Sequence, residues 1–397
     1  MLTFLKRALF GRLIDRLERR VDAAADMAVA ARMREISAAI AKAAEPRPLP
    51  SFQVAEVEGL TLQRLFPSPR RVTEASQPNL DPLPFALRDL RNMRWDIKVL
   101  GSAIARHLYA AGQIGGVVPD SPARISLTSK LCCQADIEQP WFHYWADQLK
   151  MAALYHRKVW EDAYVLQALW EVGLLEPGRR GLGFAVGTEA LPAYFTGRGI
   201  EVLATDLETT DERSVAWKMS DQHVASLDQL YKPDLVSRAE FDRLCRYQPL
   251  DMNAIPPDLH GQFDFCWSVC SLEHVGSIEQ GLQFVQNATR CLKPGGVGVH
   301  TTEFNLETGT ETIDNWPTVL FQRKHIDDLG QRLAADGHEL MAVDYDAGSG
   351  VLDGFVDLPP YKYEYHSTMP MDRPPHLRLS VDGFPVTSIA LIVRAGG

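Results

Sequence analysis

The stretch that most constrains the fold of this chain is residues 263–305. An apolar run, Phe263–Val269, ends in a polar loop that carries Glu273 and His274, and an amphipathic helical segment follows it. A Lys-Pro-Gly-Gly turn then leads into a second apolar run, Val297–Thr302. Strand, helix and strand in this order predict a parallel βαβ unit, in which a ligand crevice lies at the carboxyl end of the first strand.

The composition limits the classes of protein that this chain can belong to. With 397 residues, of which 46% are hydrophobic, it can bury a large core and hold one catalytic domain plus accessory segments. A net charge of −10 argues against a nucleic-acid partner, because phosphate neutralisation needs a basic face. The six cysteines include no C-x-x-C pair and no apolar run approaches ~20 residues, so we expect a reduced, cytoplasmic protein.

The chain is expected to have three parts. Residues 1–44 form an amphipathic helical arm whose first twenty residues are basic. A helix of this length needs a partner for its apolar stripe, which favours a homo-oligomer, whereas the basic face also suits peripheral contact with the inner membrane. Residues 45–150 are a proline-rich linker and an accessory cap segment, with a helix over Leu87–Ala111. Residues 151–397 are the catalytic domain.

Seven apolar segments of the third part predict a doubly wound α/β sheet, because helical segments separate most of them. A helix over Tyr155–Gly173 precedes the first strand. The strands are expected around 181–186, over Ile200–Asp206, up to Leu250, over Phe263–Val269, over Val297–Thr302, near His338–Tyr345 and over Thr387–Arg394. A long insertion, roughly Leu207–Arg246, separates the second strand from the third.

This arrangement, with the Glu273-His274 pair after one strand and a Leu-Lys-Pro-Gly-Gly turn before the next, resembles class I S-adenosylmethionine-dependent methyltransferases. The resemblance extends from about Tyr155 to the end of the sequence. It implies a Rossmann-like methyltransferase sheet and S-adenosyl-L-methionine as the cofactor. It also implies cofactor contacts from Leu207, Ser268 and Glu273.

The glycine-rich loop departs from the family pattern, which is acidic-x-Gly-x-Gly-x-Gly. The best alignment places Gly183 at the acidic position, Ala185 and Gly187 at the first two glycines, and Glu189 at the third. Such a loop lets the backbone approach a ligand. Without the acidic residue, the ammonium group of the methionine moiety loses its usual partner, which Glu189 could replace. The Arg157-Lys158 pair is expected on a solvated helix face, although it could also hold the cofactor carboxylate.

Two carboxylates at strand ends are candidate cofactor ligands. Asp206 ends the second strand about twenty residues after the glycine loop, where a carboxylate accepts hydrogen bonds from both ribose hydroxyls. That geometry serves S-adenosylmethionine and NAD alike, and an aspartate that caps a turn is the alternative. Asp251, followed by Met252, matches the family position that contacts adenine. Because NAD enzymes need no carboxylate there, Asp251 favours S-adenosylmethionine.

Methyl transfer to a hydroxyl benefits from a general base. His274 lies just beyond a strand end and is the first candidate, although a Glu-His pair could instead order the loop or contact the cofactor. Glu303 and His300, on the fifth strand, are the next candidates, and His300 could equally be a buried strand residue. The loop Asp353–Leu379, with His376 and Arg378, could contact the substrate or complete a dimer interface.

Four segments of the sequence resemble bacterial methyltransferases of polysaccharide and other glycan biosynthesis. They are residues 181–195, 271–282, 293–305 and 387–394. This resemblance implies O-methylation of a hydroxyl group on a sugar or glycan intermediate. Two alternatives stay open: a small-molecule or lipid N- or O-methyltransferase, and a non-catalytic oligomeric scaffold that keeps the fold. NAD-linked hydride transfer is disfavoured because the chain lacks a proper G-x-G-x-x-G.

Overall fold

A computed structural model of the chain describes residues 83–112, 114, 118–211, 213, 223–224, 226–359, 361 and 375–397. The chain divides into two compact units, residues 1–87 and 88–397. The predicted arm over residues 1–44 and the proline-rich segment that follows lie outside the described residues.

The described residues form helices and strands that alternate along much of the chain, and the helices have the following bounds. They are α1 (Leu83–Ala110), α2 (Gln134–Ile137), α3 (Pro140–Gln148), α4 (Arg157–Glu171), α5 (Leu191–Gly197), α6 (Leu227–Leu230), α7 (Arg238–Leu244), α8 (Ile278–Thr289) and α9 (Arg323–Ala335). The strands are β1 (Ser129–Leu131), β2 (Arg180–Phe184), β3 (Glu201–Asp206), β4 (Cys245–Pro249), β5 (Phe263–Val269), β6 (Leu292–Asn305), β7 (Glu339–Leu340), β8 (Val343–Asp344), β9 (Val356–Asp357), β10 (Arg378–Val381) and β11 (Phe384–Arg394).

All of these strands belong to one mixed sheet with the central order β4-β3-β2-β5-β6-β11-β1-β8. Strands β2 to β6 are parallel, and β11 runs antiparallel to β6. The chain winds outward from β2 to β4 and then returns to place β5 on the other side of β2, so the topological switch point lies between β2 and β5. In open α/β sheets, ligands bind outside the carboxyl ends of the strands at this point.

The predicted α/β sheet is confirmed in its Rossmann-like character, whereas the strand number differs. The sheet has eleven strands in the described part of the chain, because short strands add to it on the β11 side. The segment near His338–Tyr345, predicted as one strand, forms the two-residue strands β7 and β8. The predicted Lys-Pro-Gly-Gly turn lies within the range of β6, where pairing with β5 shifts register between Phe263 and Phe265.

Helices cover both faces of the sheet and divide its apolar residues into two main cores. On one face, Trp160 of α4 and Phe195 of α5 pack with Trp267 of β5. On the other face, Phe284 of α8 and Leu329 of α9 lie in the second core. Because β5 contributes side chains to both cores, its continuous apolar run is explained by burial on two faces.

The segment predicted as an accessory cap is instead part of the sheet and its core. Strand β1 pairs antiparallel with β11, where Lys130 lies opposite Ala390. Trp141 and Trp145 of α3 are buried, and the indole N–H of Trp145 donates to Gln167 of α4 at 2.6 Å. Within the segment 45–150 predicted as linker and cap, residues 129–148 thus form a strand of the sheet and helices whose aromatic residues fill the core beside α4.

Two glycines of β2 allow aromatic rings of β5 to lie against the backbone. A Cβ atom at Gly181 would lie 2.5 Å from Cζ of Phe265, and one at Gly183 would lie 2.4 Å from Cζ2 of Trp267. Real Cβ contacts are never this short. The rings of β5 therefore take the place of side chains on β2.

The variant Gly183→Ala is expected to lower the free energy of unfolding by about 1–3 kcal/mol, the usual cost of overpacking a well-filled core. Urea denaturation of the purified protein measures it. The matched control is Gly309→Ala, since a Cβ atom at Gly309 meets nothing within 4 Å. Equal stability of the two variants would contradict the close packing of Trp267 on β2.

Candidate functional site

A cavity of about 300 Å³ opens at the carboxyl ends of β2, β3, β4 and β5, at the switch point of the sheet. Loops after these strands form most of its wall, and the first turns of α4 close one side. The lining residues are Lys158, Asp162, Ala185, Val186, Gly187, Thr188, Glu189, Asp206, Leu207, Arg213, Leu250, Asp251, Met252, Asn253, Val269, Cys270, Ser271, His274 and Val275.

The loop after β2 is held open towards the cavity by two left-handed residues. Ala185 has φ 46° and Gly187 has φ 50°, and the first is an uncommon conformation for a residue with a side chain. Between them, the backbone N–H of Val186 donates to the Thr205 carbonyl on β3. Such strain concentrates at functional sites, where the surrounding structure enforces it.

Asp206 connects this loop to β3. Its carboxylate accepts from the backbone N–H groups of Gly187 at 3.2 Å, Leu207 at 2.7 Å and Val224 at 3.2 Å. Burial raises the pKa of Asp206, while these backbone donors lower it. The three backbone N–H groups therefore fix the side chain at the strand end, where it lines the cavity.

On the β4 side of the cavity, Asp251 accepts from the Arg213 guanidinium at 2.7 Å and from the backbone N–H of Asn253 at 2.9 Å. Arg213 also contacts Asp211 at 2.6 Å. The buried side chain of Met252 lies beside this carboxylate in the cavity wall. A carboxylate next to an apolar thioether offers one acceptor for an amino group and one surface for a flat ring.

His274 lies in a short 3-10 turn, Leu272–His274, after β5. Its Nδ1 is 2.9 Å from the carbonyl oxygen of Pro317 and 3.2 Å from the Thr318 hydroxyl. Since a carbonyl oxygen can only accept, Nδ1 carries the proton in the neutral ring, and Nε2 is the basic nitrogen. Nε2 lies 3.8 Å from Oε1 of Glu273, which is fully buried.

Helix α4 contributes a cation and an anion to the cavity, four residues apart. Lys158 is half exposed and forms a 3.4 Å ion pair with Glu161, whereas Asp162 is buried. Oδ1 of Asp162 has no hydrogen-bond partner. Burial, and then the charge of Glu161, raises the pKa of Asp162 to about 7.

A buried polar cluster lies next to the cavity and connects α4 with β6 and β11. Arg157 donates to Glu161 at 3.1 Å, to the Cys270 thiol at 3.0 Å, to Ser388 at 3.1 Å and to Glu303 at 2.5 Å. Only 4% of Arg157 is exposed. The expectation that Arg157 lies on a solvated helix face was therefore wrong, because its charge is paired inside the protein.

The structure brings together eight of the residues predicted for the site. They are Ala185, Gly187, Glu189, Asp206, Leu207, Asp251, Met252 and His274. The remaining five, Gly183, Ser268, Glu273, His300 and Glu303, are not among the residues that line the cavity. Of these, Glu273 accepts from the Thr302 hydroxyl at 2.9 Å, and Ser268 contacts Nδ1 of His300 at 2.8 Å.

His300 differs most from its expected position. It is fully buried on β6, with its ring 5.6 Å from that of Phe284, and burial lowers its pKa to about 3. A ring in the core between β6 and α8 cannot reach an acceptor in the cavity. The catalytic role predicted for His300 is therefore corrected to a packing role.

Asp162, Arg213 and Cys270 line the cavity but were not predicted from the sequence. Cys270 follows β5 with φ 43° and touches both the cavity and Glu161, at 3.0 Å from the sulfur. Arg213 lies in the long insertion, which carries no strong pattern. Asp162 had one available signal, its position one turn after Lys158, but the face of a helix that meets a cavity is determined by tertiary packing.

The C-terminal loop places His376 close to this region but outside the cavity. Its Nδ1 lies 2.8 Å from the buried carboxylate of Asp357, and its ring stacks on His156 at 4.8 Å. Lys98 pairs with the same carboxylate at 2.6 Å. Residues 362–374 of the loop lie outside the described residues, so its predicted contact with a substrate or a second subunit stays a prediction.

Membrane-spanning helices and clusters of metal ligands are both absent from the described residues. None of the helices in the described ranges is both long enough and apolar enough to cross a bilayer. Within the same residues, no three histidine, cysteine or acidic side chains are grouped so that they could hold a metal ion.

A family model described as a methyltransferase domain matches residues 182–299, which contain β2 to β5 and most of the cavity wall. No curated protein sequence matches the chain significantly.

Several solved structures align with parts of this chain. The CurJ carbon methyltransferase is 14% identical, with a TM-score of 0.34, covering 61% of this chain and 54% of its own. The [4+2]-cyclase SpnF is 19% identical, with a TM-score of 0.30 and coverages of 46% and 59%. Phosphoethanolamine N-methyltransferase 2 of Haemonchus contortus, in complex with S-adenosyl-L-methionine, is 19% identical, with a TM-score of 0.29 and coverages of 44% and 37%. The chain thus spans less than two thirds of the length of these structures.

Proposed function

We propose that this chain, whose residues 182–299 form a methyltransferase domain with S-adenosylmethionine as its cofactor, methylates a hydroxyl group of a sugar or glycan intermediate. The observation that carries the proposal is the cavity at the switch point of the sheet, inside the matched domain. Asp206 and Asp251 lie at the ends of two neighbouring strands, β3 and β4. One carboxylate can therefore contact the ribose and the other the adenine of the same nucleoside.

The residues in the cavity fit this cofactor. S-adenosylmethionine carries an adenine ring, a ribose, a sulfonium, an ammonium and a carboxylate group. Asp206 would accept from the ribose hydroxyls, Asp251 from the adenine amino group, and Met252 would cover the ring. The buried, unpartnered Oδ1 of Asp162 and the half-exposed Lys158 supply charges of both signs for the remaining groups.

When bound, S-adenosylmethionine supplies a methyl group that is already activated by the sulfonium, so the protein has to position an acceptor and exclude water. A sugar hydroxyl has a high pKa and gains from a base that removes its proton. His274 is suited to that role, because its Nδ1–H donates to the Pro317 carbonyl and Nε2 is the basic nitrogen. The Glu273 carboxyl group, 3.8 Å from Nε2, would stabilise the imidazolium that forms.

Glu303, the second candidate from the sequence, is proposed as a positioning residue. Its carboxylate pairs with Arg157 at 2.5 Å and lies outside the cavity wall. Through Arg157 it holds Cys270, which does line the cavity. The sugar or glycan acceptor rests on the resemblance of the sequence segments given above, and on the preference of a base-assisted site for hydroxyl acceptors.

The variant Asp206→Ala is expected to weaken binding of S-adenosylmethionine by roughly 100-fold or more, since two hydrogen bonds to a charged group contribute about 1.5–3 kcal/mol each. Isothermal titration calorimetry measures the loss. The matched control is Glu208→Ala, an exposed carboxylate two residues away, which should bind as the unchanged protein does. Near-normal affinity of Asp206→Ala would place the cofactor elsewhere.

The function itself is tested by titrating the purified protein with S-adenosylmethionine, S-adenosylhomocysteine and NAD. Micromolar binding of the first two without binding of NAD is the expected result. Silence from the first two would favour a scaffold that has lost its ligand. Incubation with methyl-tritiated cofactor and a panel of nucleotide sugars then tests the acceptor, and label that enters only amines or lipids would overturn the sugar assignment.

A further inference from the structure

Two acidic side chains that form no ion pair with any described residue line the cavity. Asp162 projects from α4, and Glu189 projects from the loop after β2. Both residues line the same cavity, and burial, and then the charge of Asp162, raises the pKa of Glu189 well above its ordinary value. Buried carboxylates require a cation or strong donors, because desolvation of an unpaired charge is costly.

The missing partner is most evident at Asp162. Its side chain is 7% exposed, and its Oδ1 is buried without a hydrogen-bond donor, although the residue lines the cavity. The nearby cation Lys158 pairs with Glu161 instead, at 3.4 Å. An unsatisfied buried oxygen at the surface of a cavity indicates a ligand that brings its own donors.

Glu189 is held in place by an aromatic side chain of the neighbouring strand. The indole N–H of Trp267 donates to Oε1 of Glu189 at 2.6 Å. The Trp267 ring is fixed by Phe195, whose ring centre lies 4.9 Å away. The same ring fills the space beside Gly183, where a Cβ atom would lie 2.4 Å from Cζ2. No acidic side chain fits at position 183 while Trp267 is present.

We propose that Asp162 and Glu189 together bind the α-ammonium group of the methionine moiety, while Lys158 binds its carboxylate. The proposal rests on the function proposed above. A primary ammonium group supplies three N–H donors and one positive charge, which suit two carboxylates that have one donor between them. Lys158 and Asp162 are one helical turn apart on α4, so their opposite charges match the opposite charges of an α-amino acid.

The site also predicts a pH dependence of binding. The groups that face the two carboxyls are Glu161 and Lys158 from α4, Asp206 from β3 and the neutral Trp267 from β5. An ammonium group binds the ionised carboxylates, and the pKa of Asp162 before binding is about 7. Affinity should therefore increase as the pH rises through 7, and binding near neutral pH should release protons.

The test compares two ligands that share the nucleoside and differ in the amino acid. S-adenosylhomocysteine carries the ammonium group, whereas 5′-methylthioadenosine lacks the amino-acid portion. Asp162→Asn and Glu189→Gln, each of similar volume to the original residue, are expected to weaken S-adenosylhomocysteine roughly 10- to 100-fold and leave methylthioadenosine within about twofold. The control Glu176→Gln removes an exposed carboxylate and should change neither affinity.

Each outcome decides the proposal. Selective loss of S-adenosylhomocysteine in both variants supports it. Unchanged affinity, or an equal loss of both ligands, overturns it while leaving the proposed function intact. If the unchanged protein binds neither ligand, the proposed function and this inference fall together. Thermal denaturation shows whether each variant is folded, and calorimetry of the unchanged protein in buffers of different ionisation enthalpy measures the released protons independently of any variant.

Discussion

Replacing Arg157 by methionine is expected to lower the free energy of unfolding by about 3–5 kcal/mol. The guanidinium is 4% exposed and contacts the buried carboxylates of Glu161 and Glu303. Its removal would leave both charges desolvated and without a cation, which is the most costly way to break a buried ion pair. Equilibrium unfolding in urea measures the loss, and the midpoint should fall without a change in the slope.

The matched control for this prediction is Arg179→Met. The Arg179 side chain is 41% exposed and lies 3.6 Å from Asp264, so its loss should cost less than about 1 kcal/mol. A second variant tests the cause of the loss. Adding Glu161→Gln and Glu303→Gln to Arg157→Met removes the unpaired charges and should restore part of the stability. Equal losses for Arg157→Met and Arg179→Met would show that the cluster contributes no more than a surface pair.

The variant His274→Ala is expected to lower kcat roughly 10²- to 10⁴-fold, the usual contribution of a general base. Because the ring projects from the turn after β5 and no cofactor contact is proposed for it, S-adenosylmethionine should bind with nearly unchanged affinity. Single-turnover methylation of an identified acceptor gives the rate, and calorimetry gives the affinity. The exposed His260→Ala is the control and should leave both quantities unchanged.

A loss of cofactor affinity in His274→Ala would contradict the base and assign the ring to the cofactor side of the cavity. Glu273→Gln distinguishes further. If the Glu273 carboxylate stabilises the imidazolium from 3.8 Å, its neutral replacement should lower kcat without changing the cofactor affinity. A Glu273→Gln variant with unchanged kcat would limit Glu273 to its hydrogen bond with Thr302.

Local sequence patterns predicted the parts of the fold whose burial is complete. The apolar run Phe263–Val269 is β5 to the residue, because a strand covered on both faces leaves a continuous apolar signal. The strand predicted over Ile200–Asp206 starts one residue later in the structure. Strand β1 left no such signal, since it has three residues and its pairing with β11 depends on contacts distant in the sequence.

In the candidate site, too, residues at strand ends were predicted, whereas residues on a helix face were not. Asp206 and Asp251 were predicted because the carboxyl ends of parallel strands meet at one edge of a sheet, so a polar residue after a strand already has a position. Asp162 and Arg157 were not placed correctly, because a helix exposes all its faces in the sequence and packing alone selects the inner one. The pattern that predicted Arg157 in solvent describes an isolated helix, whereas α4 is largely buried.

The pairing of β1 with β11 has a consequence for synthesis on the ribosome. Lys130 gains its antiparallel neighbour Ala390 only after the residues of β11 have been translated, whereas the parallel strands β2 to β6 lie earlier in the chain. Non-local pairing is slow because the chain loses the entropy of loop closure before the pairing contacts form. A strand without its neighbour exposes unpaired backbone groups, with which another chain can pair. A nascent chain that stalls before residue 384 would thus hold the parallel strands β2 to β6 without β11, and the exposed edge of β6 would be open to misassembly.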